Sequence, residues 1–381
     1  MLRPGALAHL RFDVRESRGR RFPEPLPSFR NDFQRDRDRI VHSRAFRRLE
    51  AKTQVFPQGL SDHFRNRLTH TLEVAQLART AAKVLGLDDD FAEALALSHD
   101  IGHPPFAHAG EAALNTFLAP YGFHFEHNLH ALEIIEKFEH RYAMYPGLNL
   151  TFEVREGIVK HSRDLPANTT GPLAEYLPAL RPPLEAQLID WVDEIAYNTA
   201  DTDDAHDAGF FTLAEFAAAV PAAAEHLESV SVQFPAAEER ILLHEVLRRL
   251  IDQLMRGLML GTIEAATAAQ ADSVAAVRQH PERLARYTPE AAFTARAMKA
   301  FLHQRVYQTE ILLEERKRSA AEIQQLFQYW LQHPQALPPA PEYEDRPLPL
   351  RITDYIASMP DTYFRRVYSE VILVTSALRT P

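Results

Sequence analysis

Residues 67–85 read RLTHTLEVAQLARTAAKVL. His70, Val74, Leu77, Ala81 and Val84 follow one another at steps of four, three, four and three, which places them on one face of an α-helix. That face is apolar apart from its histidine, so His70 points inward. The same periodicity extends over Leu87–Asp100, Ala107–Leu118, Leu129–Phe138, Pro183–Asp201, Glu238–Leu260 and Pro289–Gln332. No long run alternates apolar and polar residues with a period of two, and no repeat of fixed length stands out. The spacing predicts an all-α protein. Gly102–Pro105 breaks the second helix from the third, and Ala205–Ala276 is rich in alanine and says little else.

Composition narrows the chemistry. The chain has 381 residues, 46% hydrophobic and 25% charged, enough to bury a large core. It contains no cysteine, which excludes disulfides, thiolate metal sites and a cysteine nucleophile. A transition-metal site must therefore draw on carboxylates and on the 18 histidines. No apolar run approaches the roughly 20 residues of a membrane span, and the N-terminus lacks a signal-peptide layout. A soluble cytoplasmic protein is expected. The net charge of −10 argues against a general nucleic-acid coat. Basic residues still gather at Arg30, Arg35, Arg37, Arg39, Arg44, Arg47 and Arg48, with Asp32, Asp36 and Asp38 between them. This is either a solvated helix face or a local supply of cations for a phosphate-bearing ligand. Proline-rich stretches at 1–30 and at His333–Pro349 read as an extended arm and a surface strap.

A lone inward histidine is more often a hydrogen-bonded core residue than a ligand. The next helix changes the weighting, because it ends in His99-Asp100 and is broken at once by Gly102 and Pro104-Pro105. Burying a carboxylate is costly unless it meets a cation or donors, and a metal is the strongest such partner. Asp193 poses the same problem on a stripe with Ile189, Ala196 and Ala200. Two imidazoles and two carboxylates suit Mn, Fe, Co, Ni or Zn, and Mg less well. They leave coordination positions open for water and substrate.

The order His70, His99-Asp100 and a distant Asp193 resembles the H…HD…D signature of the HD phosphohydrolase superfamily. The flanking text is more specific. FRRLEAKTQVF (46–56), RLTHTLEVAQLAR (67–79), HDIGHPPFAHAGE (99–111), FEHN (125–128), DEIAYNTADTDD (193–204) and ITDYIASMPDTYF (352–364) together resemble the bacterial dGTPase or dNTP triphosphohydrolase family over most of the chain. The resemblance implies an HD-domain helical bundle. We expect an N-terminal arm (1–30), an HD-type catalytic domain (31–265) and a C-terminal helical region (266–381) packed on it. It implies hydrolysis of a deoxynucleoside triphosphate, dGTP or another dNTP, to deoxynucleoside and inorganic triphosphate. Water attacks the α-phosphorus and the 5′-oxygen leaves.

Carried over residue by residue, the resemblance makes His108 and Glu111 the catalytic histidine–acid dyad. The two lie three residues apart, within reach on a helix. His103 and His127 match further family histidines around the phosphates, with Glu126 beside His127 as its acid. Arg67, one helical turn before His70, is the best-placed cation for triphosphate. Lys160 matches a family lysine facing the phosphates, and Arg48 with its neighbour Arg47 are further candidates. Tyr197 and Asp201 follow Asp193 at i+4 and i+8. The resemblance gives Tyr197 the exclusion of a 2′-OH, Asp201 a hydrogen bond from the 3′-OH, and Gln54 a place near the base. His161 and Glu50 depart from the family pattern. A divalent metal (manganese, magnesium, cobalt, iron, nickel or zinc), a homo-oligomer such as a hexamer, and in some members a second dNTP as activator are also implied. Single-stranded nucleic acid is left open as a partner, and a membrane is not expected. The rival readings are another HD enzyme, a nucleotidase or phosphodiesterase, and a catalytically silent nucleotide sensor.

Overall fold

Asn66 opens the helix predicted over 67–85. Its side chain accepts from the Thr69 amide, Thr69 answers to the Asn66 backbone, and Gly86 at φ 86° closes the helix in the left-handed region. The structure, a computed structural model, describes residues 3–25, 29–56, 64–339 and 344–373. Among these, every regular element is helical, as the periodicity predicts. Pro27, Pro341 and the residues past 373 in the C-terminal region lie outside the described residues.

The N-terminal half contains α1 (Asp32–Val41), α2 (Arg44–Arg48), α3 (Arg67–Leu85), α4 (Asp89–Ser98), α5 (Ala107–Leu118), α6 (His127–Glu133), α7 (Phe152–Val159) and α8 (Leu184–Asp207). There follow α9 (Leu213–Ala219), α10 (Pro221–Gln233), α11 (Glu239–Ala268), α12 (Val274–Gln279) and α13 (Pro289–Leu302). The chain closes with α14 (Glu310–Gln332), α15 (Leu348–Ala357) and α16 (Asp361–Tyr368). No helix among the described residues is long and apolar enough to cross a membrane.

Two apolar cores organise these elements. The larger runs through α3, α4, α7, α8, α11 and α13, and α3 packs directly against both α4 and α8. The smaller joins α5 to α14, α15 and α16 through Leu114, Phe327, Trp330, Ile356 and Phe364. Residues 3–25 are tied down: Leu7, Leu10 and Phe12 are buried, and the Gly5 amide donates to the Val84 carbonyl at 2.9 Å.

Helix boundaries differ from the sequence reading where tertiary contacts overrule local pattern. α8 continues to Asp207, so Asp201 sits inside a helix rather than at its end. The helix expected over Pro289–Gln332 is two helices, joined by a π-helical turn at His303–Tyr307 and restarted after Thr309. A second π-helical turn, Ile134–Phe138, follows α6. Such turns re-aim side chains and recur at functional sites. α7, α9 and α10 carry no periodicity strong enough to be read from the sequence.

Candidate active site

α3, α4 and α8 converge on one buried point. His70 on α3 is 1% exposed, and its Nε2 lies 2.9 Å from Asp193 Oδ1 on α8. His99 caps the C-terminus of α4, where its Nδ1 donates to the Ala96 carbonyl at 2.6 Å. That bond fixes the tautomer and leaves Nε2 buried, without a hydrogen-bond partner among the described residues, 3.6 Å from Asp100 Oδ1 and 3.7 Å from Asp193 Oδ1. One ligand atom from each of His70, His99 and Asp100 falls within 4.8 Å of the others. A bare imidazole nitrogen facing two carboxylates is the donor chemistry of a divalent metal, and a backbone carbonyl accepting from the other ring nitrogen is the usual orienting partner. The residues fit such an ion.

Electrostatics keep both carboxylates ionised. Burial alone would raise Asp100, but Arg67, His99 and His103 together hold it well below the usual carboxylate range. Burial likewise opposes ionisation of Asp193, and its hydrogen bond to His70 with the charge of His99 outweighs it. His161 completes the surround. Its Nδ1 lies 2.7 Å from Asp190 Oδ1, and its Nε2 lies 4.0 Å from Asp193 Oδ2.

Three more histidines reach the same cavity: His103 from the loop between α4 and α5, His108 from α5 and His127 from the start of α6. Gly102 allows that loop to lie on α6, since a Cβ there would come within 2.0 Å of the His127 carbonyl oxygen. Phe106 and Ala107 both take positive φ, 62° and 52°, and turn the chain so that His108 falls in the first turn of α5. The His103 and His127 rings lie 4.0 Å apart, and His108 stands 5.6 Å from His103. His103 Nδ1 lies 2.9 Å from Asp100 Oδ1. Glu111 serves two histidines. It accepts from the His127 amide at 2.9 Å and lies 3.0 Å from His127 Nδ1, while His108 Nδ1 is 3.6 Å away. Glu126, expected to be the acid of His127, instead pairs with Arg163.

The cavity holds about 550 Å³, within the range of small-molecule sites of roughly 300–1,000 Å³. Gln54, Arg67, His70, Asp100, His103, His108, His127, His161, Asp193, Tyr197 and Asp201 all line it. Gln54 Oε1 is buried with no partner among the described residues. Arg67 is 2% exposed and is spent partly on Asp100, at 2.7 Å. Burial pushes the Asp201 carboxyl up to about 7, although Tyr307 donates its hydroxyl to it. Tyr307, Lys299 and Arg316 close the far wall. These three were missed in the sequence, since nothing local links them to the histidines of α3–α6.

Two predicted phosphate cations lie elsewhere. Lys160 is fully buried, and its ammonium donates to Glu156 Oε1, Leu177 O and Leu180 O at 2.8, 3.0 and 2.8 Å. All three of its protons are used, so it faces a structural knot and not the cavity. Arg48 does not line the cavity either; its charge acts on Lys52 and His130. A second His/acid grouping, His130 with Glu133 and Asp354, already contains a cation: Arg346 lies 2.8 Å from Glu133 and 3.1 Å from Asp354.

Comparison with known proteins gives the family. The HD domain matches residues 67–198, and the phosphohydrolase-associated domain matches 285–370. The deoxyguanosinetriphosphate triphosphohydrolase-like protein of Ralstonia nicotianae is 42% identical over 375 residues, 97% of this chain and 96% of the relative. Proteins of the same description from Azoarcus sp. and Bordetella pertussis are each 43% identical, over 94% of both chains. Matched along almost its whole length, the chain belongs to the HD-domain family of deoxyguanosinetriphosphate triphosphohydrolase-like proteins.

Proposed function

We propose that this chain hydrolyses deoxynucleoside triphosphates, dGTP among them, to deoxynucleoside and inorganic triphosphate, with a divalent metal held by His70, His99, Asp100 and Asp193. One observation carries the reading. A single cavity joins a His/Asp donor set, a cluster of histidines served by Glu111, and a wall of Tyr197 and Asp201 suited to a sugar. The relatives' description, deoxyguanosinetriphosphate triphosphohydrolase-like, supports this reading.

The metal, when bound, supplies a Lewis acid for a phosphoryl oxygen and lowers the pKa of water. The donor set favours Mn, Fe, Co, Ni or Zn over Mg. Arg67 offers the phosphates positive charge. His108, oriented by Glu111, hands a proton to or takes one from the reacting oxygens, and His103 and His127 lie alongside for the same phosphates. Tyr197 blocks the space beside C2′, and Asp201 accepts from the 3′-OH. Gln54 leaves an acceptor free for the base. Lys299 and Arg316 replace Lys160 and Arg48 as cations at the cavity wall. We further propose that the protein works in the cytoplasm as a homo-oligomer, to be read by light scattering with and without dNTP.

The test is incubation of the purified protein with each dNTP and Mn²⁺, followed by chromatography of the products. Triphosphate and deoxynucleoside support the proposal. A nucleotidase or phosphodiesterase activity on other nucleotides supports the rival HD reading, and binding without turnover supports a sensor.

A further inference from the structure

The C-terminal region reaches back into the active-site loops through one carboxylate. Asp361 is the first residue of α16 and is 4% exposed. An acid at that position ordinarily serves its own helix, yet its oxygens are taken by amides far away in the chain. Oδ2 accepts from the Thr53 amide at 2.9 Å, and Oδ1 accepts from the Phe106 amide at 3.1 Å. Thr53 precedes Gln54. Phe106 is the first of the two consecutive non-glycine residues at positive φ that aim His108.

Such a pair of backbone angles is costly and persists only where the surroundings over-determine it. The surroundings here come from α16. The Phe364 ring meets the Phe106 ring edge-on at 5.1 Å, and the Arg365 guanidinium lies 5.2 Å from the centre of the Phe106 ring. Arg365 is itself held by Glu315 of α14, a residue of the cavity wall. A second tether runs alongside. The buried Lys52 ammonium donates to the His103 carbonyl and, at 3.3 Å, to the Ala357 carbonyl that ends α15.

We infer that Asp361 is a positioning residue that acts through His108. By fixing the Phe106 amide it holds the strained turn that presents the His108 ring, so the C-terminal region completes the active site rather than merely packing on it. This rests on the dNTP hydrolysis proposed above for its activity readout, but not for its structural one.

The experiment has two arms. In the first, hydrogen–deuterium exchange is followed in the peptides covering 53–54 and 104–108, with no nucleotide present. Asp361→Ala should speed exchange of the Thr53 and Phe106 amides about tenfold or more, and Asp361→Asn, which keeps one carbonyl oxygen, by less. Unchanged exchange in Asp361→Ala overturns the inference, whatever the enzyme hydrolyses. In the second arm, kcat for dGTP should fall on the order of 10–100-fold in Asp361→Ala with metal content unchanged. Added to His108→Ala, the same substitution should change kcat by less than about twofold. Independent, multiplicative losses in the double variant overturn the link to His108. Phe364→Leu guards against misfolding. It keeps the apolar core, and it should show a smaller kcat loss that also vanishes in the His108→Ala background; a loss that persists there again overturns the link. Absence of any dGTP turnover by the parent protein counts against the proposed function, and the exchange arm still judges Asp361.

Discussion

His127 Nδ1 lies 3.0 Å from Glu111 Oε1, closer than the 3.6 Å that separates His108 Nδ1 from Glu111 Oε2. One carboxylate thus orients two imidazoles, the first with 18% of its side chain exposed and the second with 81%. The pairing holds Glu111 well below the usual carboxylate range: burial pushes the other way, and the bonds to His108 and His127 outweigh it. A glutamate that stays ionised is suited to stabilising a positively charged ring.

His108→Ala should keep its metal and still bind dGTP, because the metal ligands and Arg67 remain. Turnover should fall by roughly 10²–10⁴-fold, the usual worth of general acid–base help. Glu111→Gln should fall less, since the amide can orient both rings but cannot stabilise their charge. Metal content, dGTP affinity and kcat measured on both variants check this. Parental turnover in His108→Ala would mean that the proton moves through another group, with His127, which Glu111 also holds, the first alternative.

The metal set is tested by His70→Ala, His99→Ala and Asp193→Ala. Each should lose most of its bound metal together with activity, because three remaining ligands bind weakly and in the wrong geometry. Elemental analysis of dialysed protein gives the answer. Full occupancy in all three would dismiss the site.

Tyr197 stands one turn beyond Asp193 on α8 and lines the cavity. Tyr197→Ala should narrow the preference for dGTP over GTP by roughly tenfold or more, the scale of a steric exclusion. The ratio of kcat/KM for the two substrates decides it, and an unchanged ratio would remove Tyr197 from sugar selection.

Glu185 ties the N-terminal arm to α8. Its Oε1 accepts from the Phe12 and Asp88 amides at 2.9 and 3.1 Å, its Oε2 has no partner among the described residues, and burial pushes its carboxyl up to about 7. A carboxyl raised on folding contributes its full stability below the unfolded value, and that contribution is lost as pH climbs through the folded one. Glu185→Gln keeps both amide bonds and cannot ionise. Its stability relative to the parent should therefore grow between pH 4.5 and pH 8, by up to about 3 kcal/mol. Thermal unfolding at several pH values measures this, and a gap that stays flat or shrinks as pH rises would contradict it.

Much of the site was legible because its chemistry is local in sequence. The inward face of α3 exposes His70 as an anomaly, and His99-Asp100 before a Gly-Pro break needs a cation. Lys160 shows the limit. It was read as a phosphate cation, but Glu156, four residues earlier, takes one proton of its ammonium, and the carbonyls of Leu177 and Leu180 that capture the rest come from a loop no periodicity describes. Tyr307 was invisible for a related reason. It meets Asp201 only because a π-helical turn interrupts what reads as one long helix.

The reaction proposed for this chain is cleavage at the α-phosphorus with the 5′-oxygen as leaving group. A single turnover of dGTP with Mn²⁺ in ¹⁸O-labelled water, followed by mass spectrometry of both products, reads which bond breaks. Inorganic triphosphate should carry the label and deoxyguanosine should be unlabelled. Release of pyrophosphate with a deoxynucleoside monophosphate, of orthophosphate, or of labelled deoxyguanosine would contradict it.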